Sequence, residues 1–167
     1  MNTITPMKRQ FALLLFFIAA SLHAQTTIIL VRHAERASQA LDSQLSHAGF
    51  TRAKELARVL ADVNVSAIYA TEFIRTQETV APLAEERHLK PVILQTGDNY
   101  PRDLIADINE HHKNQTVVVA SHSDTIPKIL RELGVASPPD IRMTEYDDLF
   151  VFTAPKLLIL RYGANAR

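Results

Sequence analysis

From Thr26 onward, short uninterrupted apolar runs alternate with stretches whose apolar positions recur every three or four residues. Thr26 to Val31 (TTIILV) is continuous, as expected of a strand buried on both faces. Ser46 caps a predicted helix running to about Ala61, with Phe50, Ala53, Leu56, Ala57 and Leu60 along its apolar face. Arg52, Lys54 and Arg58 then read as its solvated polar side. Ala67 to Ala70 predicts a second strand, and Thr76 to Leu89 a second helix that Pro82 should kink or restart. Val92 to Leu94 is a short third strand, and Pro101 suits the first turn of a helix lasting to about His112. Thr116 to Ala120 (TVVVA) is a further buried strand, and Pro127 begins a short helix that Gly134 ends. Leu149 to Phe152 and Leu157 to Leu160 form a hairpin around Ala154-Pro155-Lys156, with Asp147 and Asp148 as solvated turn residues before it.

Alternating β and α units predict a single α/β domain: a mostly parallel sheet, helices on both faces, and a C-terminal hairpin. No internal repeat or linker interrupts it; Ser137-Pro138-Pro139 is a surface turn.

The first 24 residues follow a different pattern. Lys8 and Arg9 precede a ten-residue apolar run, Phe11 to Ala20, and Ser21 to Ala24 lead to a cut after Ala24. Roughly 20 residues are needed to span a bilayer, so the run predicts a cleaved export signal over 1–24 and no stable membrane insertion afterwards. The expected mature domain, 25–167, is periplasmic or secreted. Export removes two basic residues and no acids, leaving 16 basic against 18 acidic side chains, a formal charge of −2. That balance disfavours nucleic acid as a partner. The absence of cysteine excludes disulfides, thiolate metal sites and a cysteine nucleophile.

Two strands run directly into histidine. The first leads to Arg32-His33-Ala34-Glu35 and the fourth to Ser121-His122-Ser123-Asp124, at the strand ends where α/β sheets bind ligands. A neutral imidazole is a nucleophile near neutral pH, its ordinary pKa being about 6.5. Phosphoryl transfer spreads transition-state charge over three oxygens, which planar, permanently charged guanidiniums suit. Arg32 and, after the second strand, Arg75 are the candidates. Arg75 falls at the start of the next helix, whose N-terminus also favours anions.

These segments resemble the histidine phosphatase superfamily, the phosphoglycerate-mutase-like fold, in a short form without a capping insertion. The carriers are Leu30-Val31-Arg32-His33-Ala34-Glu35, Leu45-Ser46-His47-Ala48-Gly49, Arg75-Thr76-Gln77-Glu78-Thr79 and Val117-Val118-Val119-Ala120-Ser121-His122, in the family's order. The resemblance implies that His33 becomes phosphohistidine, that Arg32 and Arg75 hold the phosphoryl oxygens, and that His122 completes the pocket as a donor. It implies neither metal nor cofactor. The proton-donating glutamate of many relatives has no recognisable counterpart between Arg75 and His122.

Other positions carry two readings. Glu35 orients Arg32 or faces the phosphate pocket, or else is a solvated loop carboxylate. Asp124 donates a proton, or caps the Pro127 helix. His111 and His112 point in different directions on a helix and lack a third metal ligand. The expected activity is hydrolysis of a phosphomonoester or phosphoramidate, small or carried on a phosphoprotein. The alternatives are a phosphomutase and a noncatalytic envelope protein that binds phosphorylated ligands.

Overall fold

A computed structural model describes residues 25–163; the expected export signal and residues 164–167 lie outside it. Ten elements follow the predicted order: β1 (Thr27–Arg32), α1 (His47–Val59), β2 (Val65–Thr71), α2 (Ile74–Arg87), β3 (Val92–Leu94), α3 (Tyr100–His111), β4 (Thr116–Ser121), α4 (Ile126–Glu132), β5 (Asp148–Thr153) and β6 (Lys156–Arg161). The strands form one sheet in the order β3-β2-β4-β1-β5-β6. The four strands β1 to β4 pair parallel, while β5 joins β1 antiparallel and carries β6 as a hairpin.

Alternation along the central strands splits the core into two layers. Ile29 and Val31 of β1 pack with Leu56 and Ala57 of α1 and Val80 and Leu83 of α2. Ile28 and Leu30 point the other way, into Leu104 and Ile108 of α3 and Ile126, Ile129 and Leu130 of α4. Thus α1, which follows β1, and α4, which follows β4, cover opposite faces. The neighbouring carboxyl ends of β1 and β4 form the sheet's switch point, where a crevice opens.

Four sequence expectations change. The buried face of α1 is centred on Gly49, Arg52, Ala53, Leu56 and Ala57, so Phe50 turns outward, 44% exposed, and Arg52 turns inward. Gly49 is there because a Cβ would stand 2.3 Å from the carbonyl oxygen of Glu35. Pro82 does not break α2, which runs continuously from Ile74 to Arg87. Buried residues on both sides of it, Thr79 and Val80 before, Leu83 and Ala84 after, hold the helix across the lost hydrogen bond. Asp147 and Asp148 are buried rather than solvated, because both bind Arg161 of β6 at 2.9 Å.

Candidate active site

Strand register fixes the two histidines. Arg32 of β1 pairs with Ser121 of β4, so His33 and His122 both emerge one residue beyond the ladder. The His33 N–H donates to the Ser121 carbonyl at 2.9 Å, extending the pairing by one step. Their rings stand 5.4 Å apart at 60°, and both side chains are buried.

The ring of His33 is oriented by its own backbone. Nδ1 lies 2.8 Å from the carbonyl oxygen of Ala34. A carbonyl only accepts, so Nδ1 carries the hydrogen and Nε2 keeps its lone pair. Burial, and next to it the charge of Arg32, push the pKa of His33 down to about 3, outweighing the Ala34 bond. The imidazole is therefore neutral, with one nitrogen available for attack. Burial followed by the charge of Arg75 likewise lowers His122 to about 4.

Each guanidinium is anchored to a loop and stacked on an aromatic ring. Nη1 of Arg32 donates to the carbonyls of Arg142 and Met143 at 3.0 Å and of Glu145 at 2.8 Å. Its Cζ lies 4.0 Å from the Tyr146 ring centre. Arg75, second residue of α2, donates through Nη1 to Leu41 at 2.8 Å, and its Cζ lies 4.3 Å from the Phe73 ring centre. Arg75 Nη2 is 3.3 Å from Nδ1 of His122. Thr79 ties the two halves of the site together: its hydroxyl accepts the Ala34 N–H at 2.9 Å and donates to the Arg75 carbonyl at 2.7 Å.

Arg32, His33, Arg75 and His122 line one cavity of about 350 Å³. Asp124 lines it too and is its one carboxylate among the described residues. The capping reading of Asp124 is corrected. The α4 N-cap is Thr125, no side chain caps that helix, and Asp124 accepts a bond from the Thr125 hydroxyl at 3.2 Å. Glu35 contacts neither Arg32 nor the cavity through a hydrogen bond. Both its oxygens are held by Arg52, at 2.8 to 3.0 Å, and Arg52 also donates to the Tyr162 carbonyl at 3.0 Å. The solvated reading of Arg52 is corrected accordingly. His111 and His112 are occupied by Asp107 and Gln115.

Arg36 also lines the cavity, a third guanidinium that the sequence reading passes over, as do Phe73 and Met143. The signal for Arg36 is its position three residues after His33 in the same loop. Tyr146 carries no local signal, since its contact with Arg32 spans most of the chain.

The sequence model of the histidine phosphatase superfamily (branch 1) matches residues 28–97, a span that holds His33 and Arg75 and stops short of His122. The fold is similar to that of mycobacterial glucosyl-3-phosphoglycerate phosphatase, with TM-score 0.64 and 15% identity over 83% of this chain and 99% of that one. It is similar to phosphoserine phosphatase from Entamoeba histolytica, solved with 3-phosphoglyceric acid, with TM-score 0.61 and 16% identity over 84% and 98%. Bacillus stearothermophilus YhfR aligns at TM-score 0.60 and 18% identity over 81% and 96%. No curated protein matches the chain in sequence.

Proposed function

For a chain that carries the histidine phosphatase fold, we propose hydrolysis of phosphate monoesters or phosphoramidates through a phosphohistidine on His33. One observation carries the reading: a neutral His33 with a free Nε2 shares a cavity with His122, Arg32 and Arg75. A site that only bound anions would have no use for that lone pair.

In the first step Nε2 bonds to phosphorus as the bond to the leaving group breaks. Arg32 and Arg75 carry permanent charge beside the phosphoryl oxygens, where charge develops. The leaving oxygen or nitrogen takes a proton, for which Asp124 is the available carboxyl group. Water then attacks phosphorus, giving a proton to the Asp124 carboxylate as the P–Nε2 bond breaks; phosphate departs, and His33 regains its lone pair. Small phosphorylated substrates fit a cavity of this size, and two of the similar structures are a glucosyl-3-phosphoglycerate phosphatase and a phosphoserine phosphatase.

The test is a phosphatase screen of residues 25–167 over aryl and alkyl esters, acyl phosphates and phosphohistidine, with acid-quench labelling and His33→Ala as control. Turnover with a trapped phosphoenzyme supports the reading. Binding without turnover returns the noncatalytic alternative, and transfer to a second substrate the mutase.

Export belongs to the same proposal, supported by the basic flank and apolar run of residues 1–24. No helix among the described residues is long and apolar enough to cross a membrane. Mass spectrometry of protein from its host should find an N-terminus near Gln25; an intact Met1 in the cytoplasmic fraction would refute export.

A further inference from the structure

The two nitrogens of His122 face groups of opposite hydrogen-bonding character. Nδ1 lies 3.3 Å from Nη2 of Arg75. Arginine only donates, so Nδ1 meets it with a lone pair. Nε2 lies 3.1 Å from the Thr71 hydroxyl. That hydroxyl is 2.9 Å from the hydroxyl of Thr76, which donates in turn to the Phe73 carbonyl at 2.8 Å. A carbonyl cannot give a proton back, so each hydroxyl in this short chain accepts from the one before it. Thr71 therefore offers its lone pair to Nε2, and Nε2 carries the hydrogen. Arg75 on one side and Thr71 on the other select the same neutral tautomer.

This tautomer opposes the donor role that the phosphatase reading assigns to His122. Arg75 lines the cavity, whereas Thr71 and Thr76 are fully buried, so the cavity-side nitrogen is the one without a hydrogen. An incoming phosphoryl dianion meets a lone pair there. Plain exchange of the proton from Nε2 to Nδ1 has no route, because the hydroxyl chain ends on the Phe73 carbonyl.

We propose that His122 takes up an additional proton at Nδ1 as a phosphoryl dianion enters, and that Thr71 is the positioning residue which keeps the hydrogen on Nε2 while it does so. The ring passes from imidazole to imidazolium; the added proton comes from solvent or from a monoanionic substrate, and no other group changes charge. The charged groups around the ring are Arg75 on α2, Arg32 at the end of β1, Glu72 after β2 and Asp124 before α4, with the neutral His33 ring 5.4 Å away. Without ligand, burial and Arg75 outweigh the two carboxylates. A dianion in the cavity adds its charge to the carboxylates' side and reverses the balance.

The inference rests on the phosphatase reading, and the experiment separates the two. Tungstate is a dianion that brings no proton of its own at neutral pH. With ¹⁵N-histidine-labelled protein, the His122 resonances, assigned by their loss in His122→Gln, should show hydrogen on Nε2 alone in the free enzyme and on both nitrogens with tungstate. Tungstate affinity should fall roughly tenfold per pH unit as pH rises above the free-enzyme value, until the liganded ring itself titrates. Thr71→Val should flatten that slope, and Thr71→Ser should restore it; if the valine variant does not fold, the wild-type resonances and slope decide. Loss of the Nε2 hydrogen as Nδ1 gains one, or a flat wild-type slope in a preparation that turns over substrate, overturns the inference alone. A protein with neither turnover nor a phosphoenzyme overturns the reading beneath it.

Discussion

The rings of His33 and His122 lie 5.4 Å apart yet belong to neighbouring strands that are 89 residues apart in sequence at this point. On the proposed mechanism His33 is the nucleophile, and His122, once protonated at Nδ1, is the donor. His33→Ala should abolish turnover and phosphoenzyme alike. His122→Ala should lower kcat by about 10²–10³-fold, the usual effect of removing a donor aimed at transition-state charge. Circular dichroism should show both variants folded, since both side chains stand beyond the strand ladder. Phosphoenzyme surviving in His33→Ala would place the chemistry on another residue.

Positive charge at the site comes from Arg32, Arg36 and Arg75, and among the described residues no group of His, Asp and Glu is arranged to hold a metal ion. Activity should survive EDTA, and vanadate should inhibit at the same cavity. Activity lost to chelation and regained with zinc or magnesium would contradict an arginine-based pocket.

Acid should act on stability through the same two rings. Their folded pKa values, about 3 and about 4, lie below the ordinary 6.5 for histidine. Between these limits the unfolded chain binds more protons than the folded one. Stability is therefore complete above about pH 6.5 and falls as pH drops through the folded values. Melting temperatures at about pH 7 and about pH 4.5 should differ more for wild type than for a His33→Gln/His122→Gln double variant. Equal losses would mean that other groups carry the acid sensitivity.

Arg52 joins the loop after His33 to the end of β6, through Glu35 and the Tyr162 carbonyl. Arg52→Met should cost about 3 kcal/mol, the lower end for breaking a buried pair, because the Glu35 side chain keeps 24% of its exposure. Denaturant titration measures it. A change within error would show that the pair contributes nothing net.

The leaving group tests Asp124. A positioned acid contributes about 10²–10⁴-fold, most for poor leaving groups. If Asp124 donates, log kcat/KM against the pKa of substituted phenols should be shallow in wild type and steep in Asp124→Asn. A steep wild-type plot means no acid acts, and aryl, acyl and phosphohistidine substrates then outpace alkyl esters. A flat plot indifferent to Asp124→Asn assigns the proton to a different group.

The order of strands and helices and the place of three site residues are legible in the sequence. Continuous apolar runs such as TTIILV and TVVVA announce central strands, and residues just past them are delivered to the switch point whatever the loops do. Arg32, His33 and His122 were therefore visible. Arg52 was not, because a helical wheel shows a face but not the loop that lands on it; only the spacing Gly49-Arg52-Ala53-Leu56 hinted at an inward arginine. Asp147 and Asp148 misled for a similar reason, their partner Arg161 arriving from the far strand of the hairpin. Tyr146 and Leu41 touch the two arginines through contacts that no local pattern encodes.

The three carbonyl oxygens that grip Nη1 of Arg32 have a bearing on redesign. Loops around a phosphate pocket are tempting to exchange as cassettes, one per substrate. Here the stretch from Arg142 to Glu145 is also the mount of a cation that lines the cavity. A transplanted loop that failed to present three carbonyls would let that guanidinium drift, and a swap intended to alter selectivity would be read out as a slower chemical step on every substrate. Lysine at position 32 would not rescue it, since a single ammonium cannot hold the loop with one nitrogen and leave another for the oxyanion.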